Sequence, residues 1–87
     1  MKIDIKGEGV KPFKLDIKEF NLTERIELNN LLYKFFNNKD GMFSPAIEIV
    51  RLATDMSDEE INNYSNDEIF SIAISVSNFV NKKKVKK

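Results

Sequence analysis

The densest run of chemistry-bearing residues lies between 55 and 70, where Asp55, Asp58, Glu59, Glu60, Asp67 and Glu68 occur without a lysine or arginine among them. Carboxylates gathered in this way suit a hard cation such as Ca²⁺, which takes ~6–8 oxygen ligands. A calcium loop, however, sets its ligands at alternate positions around a glycine turn, and this stretch contains no glycine. Paired-acid hydrolysis needs two carboxyl groups facing each other across a cleft, and so short a chain offers no obvious loops to wall one. The spacing points first to helix capping. Met56-Ser57-Asp58-Glu59-Glu60-Ile61 is repeated in form by Tyr64-Ser65-Asn66-Asp67-Glu68-Ile69. In each copy the serine is placed as an N-cap, the glutamate three residues on closes a capping box, and the apolar residue before the serine can staple onto the isoleucine. The remaining acids fall in the first helical turn, where the helix dipole favours them.

The second cluster is basic: Lys82, Lys83, Lys84, Lys86 and Lys87, interrupted only by Val85. Lysines that neutralise phosphates give nucleic-acid affinity without sequence reading. Together with Arg51 they form the contact set of an alternative reading, a small nucleic-acid-associated regulator. The simpler expectation is a solvated end whose first lysines meet the C-terminal dipole of the last helix. The chain is therefore read as one small domain over 1–81 followed by a disordered basic tail over 82–87.

Composition narrows the chemistry further. The chain has no histidine and no cysteine, which removes the usual proton shuttle near neutral pH, thiol nucleophiles, disulfides and the common zinc ligands. No strong catalytic motif is present, so neither an enzyme nor a cofactor is expected. Fourteen basic side chains balance fourteen acidic ones, leaving no single-sign field to steer a polyanion. An apolar fraction of 41% over 87 residues supplies one core. No apolar run approaches the ~20 residues of a bilayer span, and Met1-Lys2-Ile3-Asp4 does not read as a signal peptide. The expected location is the cytoplasm.

The elements that must carry these residues follow from periodicity. Ile3 and Ile5 alternate with Lys2, Asp4 and Lys6, and Phe13, Leu15 and Ile17 alternate with Lys14 and Asp16, which predicts a β-hairpin. Gly7-Glu8-Gly9 is expected to form a loose connection, with Pro12 at an edge or strand start. An isolated hairpin is marginal in water, so its apolar face must rest on the helices that follow. Asn21 and Glu24 make a third capping box, opening a helix with Leu28, Leu31, Leu32, Phe35 and Phe36 on one side. Asn37-Asn38-Lys39-Asp40-Gly41 ends it. A second helix starts at Ser44-Pro45 with Ile47, Val50 and Ala53 inward and Ile49 and Leu52 widening that stripe. A short helical turn at 58–63 follows. The last helix, from about Asn66 to Asn81, turns Ile69, Ile72, Ala73, Val76, Phe79 and Val80 inward. The fold class is α+β: an N-terminal β-hairpin packed on a small bundle of about three α-helices plus a short helical turn.

Apolar side chains remain after each element has one buried stripe. Phe13, Phe20, Tyr33, Met42, Phe43, Ile49, Tyr64 and Ile74 do not all fit inward, and a contiguous exposed patch marks an interaction surface. Leu32, Tyr33, Phe36 and Phe43 are the expected partner-binding residues. Self-association would satisfy the same surplus, and the hairpin edge offers a second docking surface.

The segment from Ala53-Thr54-Asp55-Met56-Ser57-Asp58-Glu59-Glu60-Ile61 to Tyr64-Ser65-Asn66-Asp67-Glu68-Ile69-Phe70 resembles the small tail assembly chaperones of tailed bacteriophages. In that grouping an N-terminal β-hairpin precedes helices, and a similar double step precedes a final amphipathic helix. The resemblance implies a non-enzymatic protein that binds the tape measure protein in the host cytoplasm and holds it while tail tube subunits polymerise around it.

Overall fold

A computed structural model of the chain describes residues 1–37, 41 and 43–85, with side chains through residue 81. Strand β1 (Lys2–Gly7) pairs antiparallel with β2 (Val10–Asp16), placing Ile3 opposite Leu15 and Ile5 opposite Phe13. The expected hairpin is present, but its connection is tight. Gly7 pairs with Val10, so the turn is Glu8-Gly9 alone, and Gly9 takes φ +74°. This is a backbone region glycine enters without a Cβ penalty. The register is irregular between Ile5 and Gly7, which leaves Lys11 and Pro12 opposite Lys6. That bulge accommodates a proline with no N–H to give the ladder.

Helix α1 (Leu22–Asn37) opens as its residues require. The Glu24 amide donates to Asn21 Oδ1 at 2.8 Å and the Asn21 amide donates to Glu24 Oε1 at 3.1 Å. The same reciprocal pair joins Ser57 and Glu60 before α3 (Asp58–Ile61), and Ser65 and Glu68 before α4 (Asn66–Val85). Within the acidic stretch Glu60 and Glu68 thus serve two of the three helix starts, while Asp55 meets Lys18 and Asp58 is held by Arg51. Among the described residues no three carboxylates are grouped to hold a metal ion. Helix α4 continues four residues past the expected end at Asn81. Lysine is a good helix former and is favoured by the dipole at a C-terminus. The side chains of 82–85, and residues 86 and 87 entirely, lie outside the described residues, as do 38–40 and 42 of the α1–α2 connection.

Helix α2 (Phe43–Thr54) buries Ile49, Val50 and Ala53 as expected, but Ala46 rather than Ile47 completes the stripe. Ala46, Ile49, Val50 and Ala53 are fully buried, whereas Ile47 and Leu52 are half-buried. Positions 46 and 47 both have helical spacing with 50 and 53, and tertiary contact selects Ala46, which with Ala53 lets neighbouring helices approach closely. The layers run in series: β1 lies on α4, α4 on α2, and α2 on α1. Ile5, Ile17, Leu28, Phe35, Ile49, Val50, Ile72 and Val76 are the largest fully buried side chains, each contributing about 1.5–3 kcal/mol of burial. Helix α1 packs chiefly on α2, with Phe35 reaching Phe70 of α4, and among the described residues its outer face has no neighbouring element.

A polar tie fixes the link between hairpin and helices. The Lys18 amide donates to the Ala53 carbonyl at 3.0 Å, and Lys18 Nζ meets Glu24 at 3.0 Å and Asp55 at 3.4 Å. Asp55 closes α2 in the left-handed region, φ +63°, which aspartate tolerates better than most side chains. The Glu24 carboxylate is held below its usual range by the Lys18 hydrogen bond and then the Asn21 amide, and Lys18 is raised, chiefly by Glu24. The signs give a window. The depressed Glu24 contributes stability above its unfolded pKa of ~4.3, and this is lost as pH falls through the folded value. The raised Lys18 contributes below ~10.4, and this is lost as pH rises through its folded value. Lys18→Met should therefore narrow the difference from the native chain at both extremes and leave it largest between about pH 5 and 10. Urea midpoints measured across pH check it, and a difference independent of pH would refute the tie. Solvent screening keeps the effect small.

Candidate functional site

The four residues expected to bind a partner divide into three environments. Leu32 is 7% exposed and packs into the core, a correction to its expected role: it shares the inward face with Leu28 and Phe35, and that face is covered. Tyr33 and Phe36, at 71% and 57% exposure, point outward on α1. Phe43 is half-buried, edge-on to Phe70 with ring centroids 5.9 Å apart. It lines a shallow groove of about 230 Å³ with Ile47, Arg51, Ile61, Tyr64 and Ile69. A run of ring contacts leads from Phe36 to Phe35 at 5.0 Å, on to Phe70 at 6.1 Å and so to Phe43. Of the expected surplus, Ile49 is fully buried in α2, Tyr64 stacks on Phe13 at 5.7 Å, and Ile74 is exposed on α4. Met42 lies outside the described residues.

The outward face of α1 is larger than expected, because Leu22 and Ile26 join Tyr33 and Phe36. Leu22 is 72% and Ile26 56% exposed. At 100° per residue these four fall within an arc of about 80°, centred about 120° from the Leu28-Leu32-Phe35 stripe. Asn29 is the polar residue within the arc, with Thr23, Asn30 and Asn37 flanking it on one side and Arg25 on the other. The Asn37 side chain donates to the Tyr33 carbonyl at 2.9 Å, binding the last turn together. A helix with two separate apolar faces is covered on one by its own domain and presents the other to solvent. The signal was present in the sequence as a second stripe, 22-26-33-36, interleaved with the buried one.

Arg51 is not free for phosphate. Its Nε and Nη2 grip Asp58 Oδ1 and Oδ2 at 2.9 and 3.1 Å, and Nη1 reaches Glu48 at 3.3 Å. This two-pronged geometry is what guanidinium offers a carboxylate, and here it clamps α2 to the start of α3. Arg51 therefore belongs to the helical corner, and the lysines offered with it, Lys82, Lys83, Lys84, Lys86 and Lys87, have no described side chains. No family model matches the chain, and neither a curated protein nor a solved structure matches it. Among the described residues no helix is long and apolar enough to cross a membrane.

Proposed function

We propose that this chain is a non-enzymatic protein-binding factor that presents the outer face of α1 to an apolar, helix-forming segment of another protein. The observation that carries this reading is the exposed arc of Leu22, Ile26, Tyr33 and Phe36 on a helix whose opposite side is already packed. An amphipathic helix laid against such a stripe gains its affinity from a few large anchors, and tyrosine and phenylalanine are among the side chains that serve best. The similarity of the double capping step to small phage tail assembly chaperones supplies the partner class: a tape measure protein, whose long apolar helices would be shielded in the host cytoplasm before tail tube subunits enclose them. The residues assigned to the contact are Leu22, Ile26, Tyr33 and Phe36, with Phe43 contributing only if the partner reaches the separate groove.

Co-expression with a tape measure protein is expected to yield a complex that survives purification. The double variant Tyr33→Asp/Phe36→Asp should fold with an unchanged circular dichroism spectrum and lose the complex. Retention of the complex by that variant would transfer the function to another surface, and recovery of no complex by the native chain would reject the tape measure assignment.

A further inference from the structure

Leu22, Ile26, Asn29, Tyr33 and Phe36 follow one another at steps of four, three, four and three residues. This alternation averages the 3.5-residue repeat of a helix–helix seam, and all five positions are exposed. Asn29 stands at the middle, seven residues from either end. The pattern therefore reads almost the same in both directions. A second copy turned end for end lays Leu22 against Phe36, Ile26 against Tyr33, and the Asn29 amide against its own counterpart. An amide both donates and accepts, so two of them satisfy each other across a two-fold axis, where each residue must meet its symmetry mate. A foreign helix would have to bring its own polar group to that point. A single asparagine in an apolar seam is also the feature that sets register in paired helices.

Area and charge agree with a second copy. The four apolar side chains are 56–72% exposed, and two are aromatics of ~150–250 Å² each. They place roughly 500 Å² per copy in the contact, so that a pair reaches the ~1,000 Å² at which specific interfaces begin. Thr23, Asn30 and Asn37 on one flank of the seam carry no charge, the exposed Arg25 stands on the other, and the formal net charge is zero, so two copies approach without net repulsion. We infer that the outer stripe of α1 pairs antiparallel with the same stripe of a second copy, and that this self-pairing covers the docking face until a partner helix displaces it. The inference rests on α1 being the docking face and adds its resting occupant.

The chain lacks cysteine, so single-cysteine variants report the arrangement cleanly. Sedimentation should show the 10.1 kDa chain doubling in mass over roughly 10–100 µM, the weak range of a contact of this size. Tyr33→Asp/Phe36→Asp should remain monomeric throughout. Under mild oxidation Asn29→Cys should cross-link to itself, whereas Leu22→Cys should cross-link only when mixed with Phe36→Cys. A chain monomeric to 500 µM would overturn self-pairing while leaving the foreign-helix reading intact. A dimer that persists in Tyr33→Asp/Phe36→Asp, or one in which Leu22→Cys cross-links to itself, would overturn the inferred interface. Dimerisation without capture of any tape measure protein would retain the inference and reject only the partner assignment.

Discussion

Phe35→Ala is expected to lower stability by about 3–5 kcal/mol, the usual cost of removing a fully buried phenylalanine. Its ring is 2% exposed and bridges the outer helix to the centre through Phe70 at 6.1 Å. The loss is a large share of the ~5–15 kcal/mol that holds a typical domain together, so the urea midpoint should fall steeply. Phe36→Ala, one residue along, has the opposite profile. That side chain is 57% exposed, so stability should stay within about 0.5 kcal/mol of the native chain. Association through α1 should weaken by about tenfold or more, as for a large aromatic anchor of an interface. The pair is read together, by urea unfolding for one variant and by binding or mass for the other. Equal effects on stability would mean that the two faces of α1 have been assigned wrongly.

Gly7→Ala is expected to cost about 1–3 kcal/mol, although the residue lies at a hairpin end and is itself exposed. A Cβ placed there would overlap the Ser71 hydroxyl of α4 and lie 3.0 Å from its Cβ. Ser71 is buried at 6%, so it has little room to withdraw, and the strand would have to lift from the helix. The coupling is measurable. Ser71→Ala removes the hydroxyl that a new methyl group would strike, and the double variant should recover part of the loss, with an interaction term of at least ~0.5 kcal/mol. Purely additive losses, or a Gly7→Ala chain as stable as the native one, would show that β1 does not press on α4 as closely as described.

Much of the molecule was legible because the responsible interactions are local. Asn21, Ser57 and Ser65 each meet a glutamate three residues later, and the reciprocal hydrogen bonds span one turn of chain, so spacing alone locates three helix starts. The hairpin was likewise readable from alternation. Its turn was not: Gly7-Glu8-Gly9 suggested a loose connection, and the bulge at Lys11-Pro12 absorbs the extra residue and lets Glu8-Gly9 close tightly. Gly7 looked like a turn residue, yet its role is close approach to Ser71. In α2 the difference is Ala46 in place of Ile47, because 46-50-53 and 47-50-53 are both periodic, and periodicity has no means of choosing between them.

The candidate site was half legible for the same reason. Tyr33 stands out as surplus, but Phe36 has the spacing of the inward stripe and is 57% exposed, while Leu32, expected beside them at the contact, lies inside the core. Leu22 and Ile26 were overlooked because a residue joins a surface only once its neighbours are known. The sequence by itself determined which segments are helix or strand, where the helices begin, and that apolar side chains outnumber the places to hide them. The tertiary structure alone decided which surplus stays outside. Layering is serial, hairpin on α4 on α2 on α1, and only that order makes α1 terminal. Local hydrogen bonds and periodicity act over one or two turns of chain. Exposure depends on contacts between segments far apart along it, and those form only when the whole chain has closed around its core.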